Sequence, residues 1–302
     1  MAQLIKLKDY ISRYEVDIYQ YPSQYIKLKN DHWKKAKINY EQGWIKEEME
    51  QYSLSSVKKE ENRKGWKNFF KKKQLEDVEQ EETGLAAVPS SIEELKHDYL
   101  DGLIPFQLKW ATTTLQEKSF ASPFYKENTD LKYFLQRFPD TYLLMFSPIA
   151  QIKKAEVEID HLLITPTGVD IISCVNHLNG GVIYPKDEMN WSIKEKGGHL
   201  HKIRNPQHSL RRTESFVKSV LNKYQLDFPC RKIILAKGLY FGSGNEPYQT
   251  DWIGKERYVD WFRKKRNMKA PLKHEQLKVA GALLKHCRTI SVKRPEWDFD
   301  DD

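Results

Sequence analysis

The sequence predicts an α/β protein, a mixed central sheet with flanking helices preceded by a helical N-terminal region. Three observations carry that expectation. Residues 141–149, 157–165 and 169–175 are apolar segments of strand length, and Thr165-Pro166-Thr167-Gly168 supplies a turn between the last two. Helical patterns follow them, one opening at Asn205-Pro206, where Asn caps and Pro suits the first helical position. Upstream, Tyr10, Tyr14, Tyr21, Tyr25, Trp33, Tyr40 and Trp44 fall at spacings near helical turns, as in a helix-packing seam.

The elements follow in order. Tyr21-Pro22-Ser23 separates the first two amphipathic helices of residues 1–75, and a basic run at 71–73, an acidic run to 82 and a Gly/Pro/Ser stretch read as a charged linker over 76–90. Ser91-Ile92-Glu93-Glu94 has the form of a capping box and opens a helix. Residues 91–302 then form the α/β domain. It holds a helix over 130–137, further strands at 181–184, 191–194 and 232–239, and helices over 206–224, 254–266 and 272–287. The end, 296–302, is an acidic tail.

Composition narrows the function classes. The 302 residues carry a net charge of +8, with 39% hydrophobic residues and 12% aromatics including eight Trp, enough large side chains to exclude wholesale disorder. No run approaches the roughly 18 apolar residues of a membrane span, and residues 1–11 hold Lys6, Lys8 and Asp9 where a signal peptide needs an apolar stretch. Three separated cysteines, Cys174, Cys230 and Cys287, make neither a disulfide framework nor a four-thiolate zinc site. A cytoplasmic protein without a membrane partner is expected.

Chemistry concentrates in two places. Glu156, Glu158 and Asp160 alternate with Val157, Ile159 and His161, so a continuous strand would present three carboxylates on one face, a row able to hold a divalent cation. Residues 194–232 carry ten basic and three acidic residues, a local excess of +7 that attracts polyanions, with a helix N-terminus at Asn205-Pro206 adding backbone donors. Lys202, Arg204, Arg211, Arg212 and Lys218 are the candidate nucleic-acid contacts. Weaker features are His199, His201 and His208 as zinc ligands, and Gly242-Ser243-Gly244-Asn245, which lacks the form of a phosphate loop and reads as a turn.

The string from Glu158-Ile159-Asp160-His161-Leu162 through Pro166-Thr167-Gly168 to Ile171-Ile172 resembles the core of the nuclease-related domain (NERD) family. Asn176, Gly180-Gly181, Trp191 and Asn205-Pro206 follow in the family's order, so the resemblance covers residues 139–235. It implies the fold of the PD-(D/E)XK restriction-type nucleases, in which an Asp ends one strand and a Glu-x-Lys lies on the next. The Asp maps onto Asp160. The Glu-x-Lys positions fall on Ser173 and Val175, and a Gln that often follows Asn-Pro falls on Ser209. In that chemistry the two carboxylates hold the metal and the Lys stabilises developing charge, a contribution of several kcal/mol. The degenerate motif therefore implies a catalytically impaired nuclease-fold protein, a pseudoenzyme without a cofactor, that binds nucleic acid through its basic segment. Residues 1–75 are the expected docking region for a protein partner, and two alternatives differ in class: an active Mg²⁺-dependent nuclease rebuilt around Asp160 with Glu156 or Glu158 as the second carboxylate and Lys153, Lys154 or Lys186 as substitute cation, and a cytosolic scaffold in which the former nuclease surface meets protein.

Overall fold

The computed structural model describes residues 1–42, 89–153, 155–185 and 188–294. The chain opens on β1 (Gln3–Leu7), the one-turn α1 (Arg13–Val16) and the long α2 (Tyr21–Glu41). Next come α3 (Ile92–Trp110), β2 (Glu117–Lys118), α4 (Phe124–Glu127) and α5 (Thr129–Arg137). A run of strands follows: β3 (Leu143–Phe146), β4 (Ile149–Ile152), β5 (Ala155–Glu158), β6 (His161–Thr165), β7 (Gly168–Cys174), β8 (Gly181–Tyr184), β9 (Asn190–Lys194) and β10 (Leu200–Arg204). The remainder is α6 (Pro206–Lys223), β11 (Cys230–Leu235), β12 (Leu239–Phe241), β13 (Thr250–Ile253), α7 (Lys255–Arg266), α8 (His274–Leu284) and β14 (Val292–Lys293).

Six strands form the central sheet in the order β1-β3-β6-β7-β11-β13. Within it β6 runs antiparallel to both neighbours and the other pairs are parallel, so the sheet is mixed as expected. The β6–β7 hairpin closes with Thr165 opposite Gly168. Gly168 is required there because a Cβ would stand 2.7 Å from the Pro229 carbonyl oxygen, which accepts the Val169 N–H at 2.8 Å. In a second sheet, β10-β9-β8-β12, Trp191 meets Phe241 and the Trp252 of β13 edge-on. None of the described helices is long and apolar enough to cross a membrane.

The chain folds into two compact units, Met1–Gln24 with Gln107–Asp302, and Tyr25–Phe106. Residues 1–24 group with the α/β part, and the first of them form a strand rather than the expected helix. Gln3–Leu7 is a fully buried edge strand paired in parallel with β3. Its outer edge is covered by Gln107, whose side chain accepts the Leu4 N–H and donates to the Ala2 carbonyl. Lys6 is completely buried, its ammonium held by Glu15 at 2.7 Å, the Tyr10 carbonyl and Thr289 Oγ1. In the second unit the aromatic seam is real: Tyr25 stacks on Phe106, Trp33 meets Tyr99, and the Tyr99 hydroxyl donates to the Lys29 carbonyl. Ser91 accepts the Glu94 N–H, while the Glu94 carboxylate turns back to Ser90. Trp44, most of the charged linker, Lys154, Lys186 and the acidic tail lie outside the described residues.

Two expected strands are divided. The segment 157–165 breaks at Ile159-Asp160: β5 pairs with β4 in a separate two-stranded sheet, and β6 enters the central one. Buried Ile159 marks the turn, its N–H bonded to the Pro148 carbonyl at 3.1 Å. Likewise 232–239 leaves the central sheet at Leu235 and joins the second sheet at Leu239.

Candidate functional site

Asp160 sits at the entry to β6, one step before His161, which pairs with Ile172, so Ser173 of β7 lies beside it. Above them runs α6, opened by Asn205, whose side chain accepts the Gln207 N–H and donates to the Glu188 carbonyl. The apolar stripe of α6, including Leu210, Phe216, Val217 and Val220, packs inward and carries two hydroxyl residues one turn apart. Thr213, completely buried, donates to Asp160 Oδ2 at 2.8 Å and accepts the Asp160 N–H at 3.1 Å. Ser209 donates to Oδ1 at 3.0 Å, and the neighbouring Ser173 hydroxyl also favours the charged form of this carboxylate. Burial pushes the Asp160 carboxyl above its ordinary value, against the opposing pull of Thr213, Ser209, Ser173 and the nearby Arg212.

Two of the three positions that depart from the family pattern thus act together, for Ser173 and Ser209 both satisfy the one acid that remains. The expected row of carboxylates does not form, because the strand breaks between Glu158 and Asp160. Glu156 and Glu158 are exposed on β5, where Glu156 pairs with Arg288 and Glu158 lies 3.4 Å from Lys8. Around Asp160 the donors are one carboxylate and three hydroxyls, with both carboxylate oxygens already accepting hydrogen bonds. A Mg²⁺ ion takes one or two carboxylates and retains waters. Asp160 supplies the single carboxylate at the lower end of that requirement, with both oxygens already engaged, while the pattern of two carboxylates and a lysine is not matched by this shell. Val175 follows β7 and supplies only its N–H, to the Leu235 carbonyl.

His161, next to Asp160, points to the opposite face of the sheet. Its ring stacks on Phe146 at 4.1 Å between centroids and meets Phe134 edge-on, and its Nδ1 accepts the Ser147 N–H at 3.1 Å. Burial pulls its pKa down to about 4, which keeps the imidazole neutral. The cysteines are packing residues: burial pushes all three thiols up, Cys230 to about 11 and Cys287 to about 12.

The basic segment is divided rather than gathered. Lys218 is committed to Glu214 at 2.8 Å, and Lys232 shares the same carboxylate. Arg212 reaches the Glu158 carbonyl, while Arg211 is exposed on α6. Lys202 and Arg204 stand on β10, an edge strand. In β8, β9 and β10 the residues facing the core are Ile183, Trp191, Ile193 and Ile203, so Tyr184, Lys194, Lys202 and Arg204 project from the other face. Tyr240 of β12 joins them through its pairing with Val182, and the Lys255 ammonium lies over its ring. Lys194, Lys202 and Arg204 are exposed and have no ion-pair partner among the described residues. This open, basic and aromatic sheet face was only partly legible in the sequence, where Tyr184 and Tyr240 gave no signal beyond strand alternation.

His199 and His208 do not meet His201. The first is exposed in the β9–β10 turn, and the second reaches the Glu188 carbonyl. The partners of His201 are instead Glu195 and His177.

Comparison with known proteins follows this geometry closely. Residues 124–236 match the family model described as the nuclease-related domain, a stretch that runs from α4 through the Asp160 hairpin and α6 to the end of β11. A segment of 41 residues is 54% identical to an RNA 2',3'-cyclic phosphodiesterase of Geobacillus stearothermophilus, covering 14% of this chain and 13% of that protein. No solved structure matches.

Proposed function

We propose that the chain, whose residues 124–236 match the nuclease-related domain model, is a nucleic-acid-binding protein of nuclease ancestry that does not cleave its ligand. The observation that carries the binding is the face of the second sheet on which Lys194, Lys202 and Arg204 of β9 and β10 share a side with Tyr184 of β8 and Tyr240 of β12. Cations spaced along adjacent strands meet successive phosphates, and the half-buried Tyr184 and Tyr240 rings offer partial stacking surfaces for unpaired bases. A single strand suits such a face better than a duplex, whose bases are already stacked. The loss of cleavage rests on Asp160, whose oxygens are occupied by Ser209 and Thr213, with Ser173 where a second carboxylate would complete a metal shell.

RNA is the first probe because the short matching segment belongs to a protein named for an RNA substrate. Fluorescence anisotropy with labelled single-stranded RNA, single-stranded DNA and duplex tests the reading, alongside product analysis in Mg²⁺ or Mn²⁺. Binding that prefers single strands and weakens in a Lys202→Gln/Arg204→Gln variant, without metal-stimulated cleavage, is the expected result. Cleavage that disappears in Asp160→Asn would restore the nuclease reading, and binding indifferent to Lys202 and Arg204 would remove the sheet face.

A further inference from the structure

Three side chains from separate segments converge beside the second sheet. His177 lies in the loop that leaves β7, Glu195 immediately follows β9, and His201 is in β10. The Glu195 Oε1 atom stands 2.5 Å from His177 Nε2 and 3.0 Å from His201 Nε2, and it accepts the Asn179 amide at 3.0 Å. The imidazole centroids are 4.9 Å apart, and the candidate donor atoms of the three residues all lie within 4.8 Å of one another.

We infer that His177, Glu195 and His201 form a binding site for a single transition-metal ion, with Zn²⁺ as the best chemical match. Two imidazoles and a carboxylate are a recognised zinc donor set, in which three protein ligands leave a fourth position for water or another ligand. Mg²⁺ and Ca²⁺ are poor matches because they select oxygen donors. Bonds of about 2.0–2.1 Å in a tetrahedron put ligand atoms about 3.4 Å apart, so the Glu195 oxygen must separate by about 0.9 Å from the His177 nitrogen and about 0.4 Å from the His201 nitrogen.

The backbone already holds two of the three ligands in register. The Glu195 N–H bonds the His199 carbonyl at 2.9 Å, and the Gly198 N–H bonds the Glu195 carbonyl at 3.0 Å. Gly198 has φ +86, a left-handed conformation that tightens this turn. With His201 side chain 49% exposed and His177 and Glu195 at 20% and 10%, one ligand is free to swing onto an incoming ion while the other two are already placed. Asn179 orients the carboxylate, as outer partners commonly do around metal ligands.

The test is a competition titration of the chelator-treated, untagged full chain with Zn²⁺ against a chromophoric chelator, repeated with Co²⁺ to read coordination. One ion per chain is expected, with the visible bands of four-coordinate Co²⁺. Affinity should fall at least about tenfold in each of His177→Gln, Glu195→Gln and His201→Gln, while the remote His97→Ala binds as the parent chain does. Near-isosteric replacements and a circular dichroism check separate lost ligands from lost fold. Failure to take up Zn²⁺, or uptake that the three variants leave unchanged, would overturn the site.

Discussion

The environment of His161 predicts a measurable acid sensitivity. Its pKa is pulled down to about 4 by burial, against an unfolded value of about 6.5. The sign follows from which state binds the proton: above pH 6.5 neither state is protonated and the contribution to stability is complete. As pH falls toward 4 the unfolded chain takes up a proton that the folded chain refuses, so stability is lost across that window. At about 1.4 kcal/mol per pKa unit the full difference is about 3 kcal/mol, of which about 2 kcal/mol is gone by pH 5. His161→Asn keeps an acceptor for the Ser147 N–H but cannot titrate there. Urea unfolding of both proteins from pH 7.5 to 4.5 checks the argument. The variant starts less stable, through the lost stack on Phe146, yet its stability should fall less on acidification by about 2 kcal/mol. Parallel curves, or an imidazole titrating near 6.5 by NMR in the folded protein, would refute the reasoning.

Other perturbations probe the frame and the surroundings of Asp160. Glu15→Gln leaves the buried Lys6 ammonium without its carboxylate and should cost about 3 kcal/mol in denaturant unfolding, whereas Lys6→Met, which removes the buried charge itself, should cost less. Ser173→Glu with Val175→Lys puts a second acid beside Asp160. Its thermal midpoint should fall in chelator and recover with Mg²⁺ or Mn²⁺, and a midpoint indifferent to metal would show that the new groups do not share one cleft.

Local signals were the legible ones. The Thr165-Pro166-Thr167-Gly168 turn and the Asn205-Pro206 cap are written in consecutive residues, and both elements form where expected. β1 was illegible because Gln3 and Lys6 read as exposed polar residues, and because its partner β3 is about 140 residues away. The break at Ile159-Asp160 was hidden by an alternation that continues through it, although the chain changes sheet there. Asp160 was placed by its motif, but its shell depended on Thr213, whose only signal was a hydroxyl in the apolar stripe of α6. His201 was singled out with His199 and His208, but its partners His177 and Glu195 carried no sequence pattern, since separate segments bring the three together. The +7 excess was read correctly as charge and misleadingly as one surface, because Glu214 takes up Lys218 and Lys232.

The binding face is tested most directly by the salt dependence of single-stranded RNA affinity. If Lys194, Lys202 and Arg204 each contact a phosphate, changing all three to Gln should reduce the slope of log K against log salt concentration by about 2, at roughly 0.7 per contact on a single strand. Tyr184→Ala and Tyr240→Ala should each weaken binding by about 1–3 kcal/mol while leaving that slope in place. An unchanged slope in the triple variant, with affinity equal to that of the parent chain, would contradict the assignment of this sheet face to nucleic acid.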